Sequence, residues 1–202
     1  MVDRYTGCKG QPLTNTPDLG GLIHAAQVQG LSLDPALPEA CRAVIAQADG
    51  ARRQLSQNEL RLICRMSGME PELISHLQDV AEPLVNQARA HLLQKQPELV
   101  QPGGALYPEE RAAACWRDCW NFFRVIVYAV ACNRSGFTDP NGMDALRELY
   151  RRMNVPTAGL NIALDQLRLL AREEICKSND QLLIDACFQH LTEQLNKTAV
   201  KS

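Results

Sequence analysis

Apolar residues recur at intervals of three and four along most of this chain, and no stretch alternates with period two for long enough to predict a strand. The pattern predicts a succession of amphipathic helices. A short one spans 19–30 and is closed by Gly30, and the two prolines of 31–38 make a connector. Residues 39–48 form the next helix, stopped at Asp49-Gly50. Residues 56–66 follow, with Ser56-Gln57-Asn58-Glu59 as a capping box. Ser67-Gly68 ends that helix, and Pro71 suits the first turn of another over 70–96, where Leu73, Leu77, Val80, Leu84, Val85, Ala88 and Leu92 keep a helical period. Pro83 should kink or divide it.

The longest pattern runs over 101–132, opening with Pro102-Gly103-Gly104 and continuing as one helix with two faces. Arg111, Cys115, Asp118 and Phe122 share a stripe that carries a guanidinium, a thiol and a carboxylate. Trp116, Cys119, Phe123, Ile126 and Val130 form an apolar stripe for the core. Three helices remain. One starts at Asp139-Pro140 and runs to 150 with Leu146, Leu149 and Met153 inward; one spans 157–174 with Leu160, Ala163, Leu164, Leu167 and Leu170 inward. The last, 179–196, is expected to bury Leu182, Leu183, Ala186, Cys187, His190 and Leu191. The fold class is all-α.

Composition narrows the function. A chain of 202 residues can bury a substantial core, and 21 basic against 23 acidic residues argue against non-specific nucleic-acid binding. Every apolar run is interrupted before it reaches membrane-spanning length, and residues 1–17, a Gly-, Pro- and Thr-containing tail, lack a signal peptide's apolar centre. A cytoplasmic protein with reduced thiols is expected. The eight cysteines then read mostly as small core residues.

Several chemistries fall away. The Gly-Gly pairs fit neither a dinucleotide fingerprint nor a P-loop, and HExxH is absent. Cys115 and Cys119 lie one turn apart, but His24, His76, His91 and His190 are scattered and complete no metal site with them. Glu109-Glu110, Glu173-Glu174 and the Arg147, Arg151, Arg152 run read as solvated surface, and His190 as a core histidine. Trp116 and Trp120 read as core or interface. No pattern of residues by itself establishes catalysis.

A family resemblance gathers the rest. Pro102-Gly103-Gly104, Tyr107, Arg111, Ala113-Ala114-Cys115-Trp116-Arg117-Asp118, Arg124, Tyr128 and Ala129 form an ordered series. Asp139, Leu146-Arg147-Glu148, Tyr150 and Val155-Pro156 continue it. The series resembles the chromophore region of phycobiliproteins, nearest to β-type subunits of allophycocyanin and phycocyanin. Val28-Gln29-Gly30 and Leu33-Asp34 are similar to the end of that family's N-terminal helical hairpin. The resemblance implies a globin-like domain over 31–202, preceded by a tail and helical extension over 1–30 that packs on a partner subunit. It also implies a non-enzymatic protein of the phycobilisome, peripheral to the thylakoid membrane on its cytoplasmic side.

The implied cofactor is phycocyanobilin or a related bilin. Cys115 would attach it by a thioether, because a thiolate is the point nucleophile such chemistry needs. Asp118 would accept hydrogen bonds from pyrrole nitrogens, and Arg117 and Arg111 would contact propionates. Tyr150, Tyr128 and Asp139 would lie around the pocket or its supporting turn.

The chain departs from the family's pattern in several places. Ala105 replaces an asparagine, Glu110 an arginine, and Cys119-Trp120-Asn121-Phe122-Phe123 an aromatic-rich stretch with hydroxyls. Gln27 replaces an aspartate that in the family pairs with the partner's arginine, whereas Arg124 keeps the arginine of such a pair. The 31–99 region is longer than in ordinary subunits. Three functions follow: a bilin protein for light harvesting or excitation transfer, a bilin-free or transiently bilin-binding accessory protein of phycobilisome assembly, degradation or regulation, and a haem-binding globin-like sensor. The expected partner is a phycobiliprotein subunit, another phycobilisome component or a second copy of the chain.

Overall fold

A computed structural model describes residues 18–197, and the 1–17 tail lies outside that range. The described residues form nine α-helices: α1 (Leu19–Ala25), α2 (Glu39–Gly50), α3 (Gln57–Ser67), α4 (Pro71–Asp79), α5 (Ala81–Lys95), α6 (Glu109–Ala131), α7 (Pro140–Met153), α8 (Thr157–Glu173) and α9 (Ser178–Asn196). Short 3-10 turns at Leu31–Leu33 and Pro97–Val100 complete the set, and the only β pairing among the described residues is the isolated bridge between Gln29 and Thr138.

Helix α6 is the axis. Its first half has one wet face, but from Phe122 to Ala131 every residue is buried, as expected of a helix surrounded by others. Helices α3, α4, α5, α8 and α9 pack around it, with α5 and α8 also packed on each other. Phe123 and Phe188 meet across the α6–α9 contact with ring centroids 6.2 Å apart.

The local signals place most helix ends. Ser56 and Glu59 make the capping box of α3, and Gly68 ends that helix in the left-handed conformation at φ 77°. Asp139 caps α7 by accepting from the Gly142 N–H at 2.9 Å, with Pro140 behind it in the first turn.

Three expectations need correction and one gains its exact boundary. The first helix stops at Ala25, because the backbone of the next residues pairs with the α6–α7 turn: Asp139 N–H donates to Val28 C=O at 3.0 Å and Gly30 N–H to Phe137 C=O at 2.6 Å. The 70–96 helix is divided, as Pro83 leads one to expect, with the break at Val80, which places Pro83 in the first turn of α5, where no intrahelical donor is needed. The central helix begins only at Glu109, since Pro108 keeps the preceding chain out of helical geometry. The inward face of α9 carries Ile184, Cys187, Phe188, Leu191 and Leu195, which leaves Leu182 exposed; Met153 on α7 is exposed as well.

Candidate functional site

The chemistry-bearing residues gather on the first half of α6, opposite α7 and the loop after α2. Cys115 and Asp118 stand one turn apart, with Cys115 only 9% exposed. Tyr150 reaches over from α7 and donates its hydroxyl to an Asp118 oxygen at 2.8 Å. Burial pushes the Asp118 carboxyl up, against the downward pull of the Tyr150 hydrogen bond and the Arg117 and Arg52 charges. Burial also holds the Tyr150 phenol well above its ordinary value, and the neighbouring carboxylate adds to this. The pair therefore acts as a fixed donor and acceptor with the proton on the phenol.

A second thiol joins the first. Cys119 stands one turn beyond Cys115 and is 2% exposed. Its thiol lowers that of Cys115 while burial and Asp118 oppose this, and the neighbouring Cys115 together with burial lifts Cys119 well above the ordinary thiol range.

Beside Asp118 and Tyr150 a narrow cleft of about 100 Å³ runs to the end of α1. Gln27 and Val28 close one side, Phe122 and Leu146 form its apolar wall, and Arg52 stands at its edge. Arg52 is exposed and sits in the left-handed region at φ 49°, where its backbone N–H bonds to Asp49 C=O at 2.8 Å. Asn121 Oδ1 and Arg124 Nε, also in residues of this cleft, are buried without a protein partner.

The remaining candidates lie in different settings. Arg117 is exposed on the turn between Cys115 and Asp118. Arg111 is committed to backbone: its Nε donates to Ala105 C=O at 3.1 Å and one terminal nitrogen to Met153 and Asn154 carbonyls at 3.0 and 3.2 Å. It thereby ties the turn before α6 to the end of α7. Tyr128 lies about 20 Å further along α6 than Cys115, at 1.5 Å of rise per residue. There it is fully buried, accepts from Arg124 at 2.7 Å and donates to the Arg53 carbonyl. Asp139 serves as the cap of α7, at the end of that helix opposite Tyr150.

Arg124 is held within its own chain. Its guanidinium pairs with Asp49 at 2.7 Å, with side chains only 5% and 13% exposed, and lies 5.1 Å from the Tyr128 ring centroid. Sequence reasoning had no sign of this pair or of Arg52, because a loop contact across 75 positions leaves no periodic trace. The Cys115–Cys119 spacing, by contrast, was visible as one helical turn.

A family model described as "Phycobilisome protein" matches residues 43–195. The chain is 30% identical over 128 residues to the C-phycocyanin beta chain of Galdieria sulphuraria, covering 62% of this chain and 74% of that protein. It is 28% identical over 128 residues to the C-phycocyanin-3 beta subunit of Microchaete diplosiphon, with the same coverage of 62% and 74%. Over 122 residues it is 30% identical to the allophycocyanin subunit beta-18 of Nostoc sp., covering 59% of this chain and 72% of the relative.

Proposed function

The chain belongs to the phycobilisome protein family, and from that membership we propose that it attaches one linear tetrapyrrole at Cys115 and works in light harvesting or excitation transfer in or near the phycobilisome. The observation that carries this reading is the Cys115, Asp118, Tyr150 constellation: a buried thiol and, one turn on, a carboxylate already oriented by a phenol. When bound, a bilin such as phycocyanobilin supplies an electrophilic exocyclic double bond, pyrrole N–H donors, two propionates and visible absorption. Cys115 is the nucleophile of the site in this reading, since a thiol beside the carboxylate of Asp118 supplies the point nucleophile that thioether formation needs. Asp118 has acceptor capacity beyond the single Tyr150 bond, which suits pyrrole N–H groups.

Arg117 and Arg52 are the cations available to propionates, since Arg111 spends its fork on three backbone carbonyls. Arg111 in this reading acts on the site through the position of α7. Tyr128 acts further off, by holding Arg124 in place. Phe122 and Leu146 supply the dry wall that keeps a pigment rigid, and rigidity slows non-radiative decay. No described helix is long and apolar enough to cross a membrane, and membership of the family supports a place at the cytoplasmic face of the thylakoid, alongside other phycobilisome subunits. Holding a pigment requires no turnover, and the chain is read as non-enzymatic.

A second reading, a pigment-free accessory role in phycobilisome assembly, degradation or regulation, draws support from the narrowness of the cleft. The end of α1 closes it, and Arg124 is paired with Asp49 of its own chain.

The deciding experiment is co-expression with a phycocyanobilin pathway, with and without bilin lyases, beside a Cys115→Ala control. Zinc-enhanced fluorescence that survives a denaturing gel and vanishes in the control is the expected result. Folded but colourless protein under every lyase would overturn it in favour of the accessory role.

A further inference from the structure

Two buried polar atoms in residues of the cleft wall have no bonding partner among the described residues. Asn121 Nδ2 donates to the Arg117 carbonyl at 2.9 Å, which fixes the orientation of the amide and leaves Oδ1 as an unused acceptor. Arg124, 6% exposed, gives one terminal nitrogen to Tyr128 and the other to Asp49, both at 2.7 Å. Its Nε–H is left as an unused donor. Asp49, Asp118 and Gln27 of the same lining are already engaged, with Arg124, Tyr150 and the His24 carbonyl respectively. Leaving a buried polar atom unpaired is costly, so a donor and an acceptor in that state point to a ligand.

Asn121 and Arg124 are three residues apart on α6, neighbours on its surface with Cβ atoms about 5–6 Å apart. An acceptor and a donor at that spacing match the edge of a cis amide, which carries an N–H and a C=O side by side. The space beside them is small. At about 100 Å³ it suits one five-membered ring, since a cavity of about 150 Å³ holds benzene, and four linked rings do not enter. Phe122, Val125 and Leu146 give such a ring apolar surface to pack on.

We propose that the cleft is the seat of a lactam ring: Asn121 Oδ1 accepts from the lactam N–H, and Arg124 Nε donates to its C=O. A bilin ends in such rings, so the proposal rests on the bilin reading for its natural ligand and adds which part of the pigment the cleft holds. Cys115, Asp118 and Asn121 follow at intervals of three along α6, each about 4.5 Å further on at 1.5 Å of rise per residue. Thiol, carboxylate and amide therefore stand in the order of an attached ring, the inner pyrroles and the far lactam. Asn121 belongs to the stretch in which this chain departs from the family's pattern, so the contact is a property of this chain. Neither residue takes part in attachment. They act by fixing the far ring, whose rotation would otherwise dissipate the excitation.

The seat is testable on the pigment-free full chain with two small rings, pyrrolidinone and cyclopentanone, which share size and carbonyl but differ in the N–H. Titration of isotope-labelled protein, followed by NMR, should shift the Asn121 side-chain amide and the signals of Val28 and Val125. The preference for pyrrolidinone over cyclopentanone should be about fivefold greater in wild type than in Asn121→Leu, the effect of one hydrogen bond. Asn121 is half-buried on the face of a helix and leucine is a good helix former, so the variant keeps α6. Equal preference in both proteins, or wild-type shifts confined to other regions, would overturn the proposal. The wild-type shift map stands by itself if the variant does not fold.

Pigment loading separates the two readings. A lactam preference in a chain that stays colourless under every lyase upholds the seat and overturns attachment at Cys115. A loaded protein whose fluorescence yield is unchanged by Asn121→Leu overturns the seat and leaves attachment standing. A yield that falls in the variant at equal loading supports both.

Discussion

Charge at single residues is governed here by which partner each side chain meets. Glu59 accepts from both terminal nitrogens of Arg53 at 2.7 Å and from the Ser56 N–H at 2.7 Å. The Arg53 hydrogen bonds hold its carboxyl down at about 2. Because the folded value lies below the ordinary 4.5, the unfolded chain binds the proton more readily, and the stabilisation is complete above 4.5 and lost as pH falls towards about 2. Glu59→Gln should therefore flatten the acid limb of stability between those values, measured as the urea midpoint against pH. An acid limb with the same slope in both proteins would show that Glu59 is not its source. The capping box was legible from four consecutive residues, whereas Arg53 as the partner of Glu59 was not, since it lies outside any helical spacing.

At the level of elements, the chain's punctuation shows how far local rules reach. Gly68, Pro71 and Asp139-Pro140 act where they stand because each settles its own backbone geometry. Pro83 divides its helix as expected, but the break falls at Val80, because a proline's missing N–H and its ring are tolerated only in a helix's first turn. Helix α1 shows the same limit from the other side. Its apolar pattern continues past Ala25, but the backbone beyond it is drawn into pairing with residues 137–139.

Gly142 makes that docking possible, since a Cβ there would overlap the Gln27 carbonyl oxygen. Gly142→Ala should release residues 18–30 from α7 while α6 and its neighbours stay folded. Hydrogen exchange checks this: the Gly30 and Asp139 amides should lose protection and the α6 amides should keep it. Protection unchanged at Gly30 would mean that α1 docks without the close approach.

For the molecule as a whole, one buried ion pair ties the first third of the chain to the central helix. Arg124 on α6 and Asp49 at the end of α2 meet 75 positions apart, almost without solvent. Asp49→Asn leaves the guanidinium buried without its counter-charge, so a loss of about 3 kcal/mol is expected in denaturant unfolding. A change below about 0.5 kcal/mol, typical of exposed pairs, would mean that water reaches Arg124. The pair engages Arg124 within its own chain and gives the 31–99 region a structural task.

The sequence by itself determined the all-α class, most helix ends and the family, because periodicity, caps and a continuous motif act over a few neighbouring residues. It also placed Cys115 and Asp118 on one face of a single helix. Only the tertiary structure decided that Tyr150 orients Asp118, that Arg111 is spent on backbone carbonyls, that Tyr128 belongs to the Arg124 network, and that Arg52 stands at the cleft. Each of these depends on a side chain crossing from one element to another. Such contacts follow from how helices pack, and helical spacing within one segment carries no record of them.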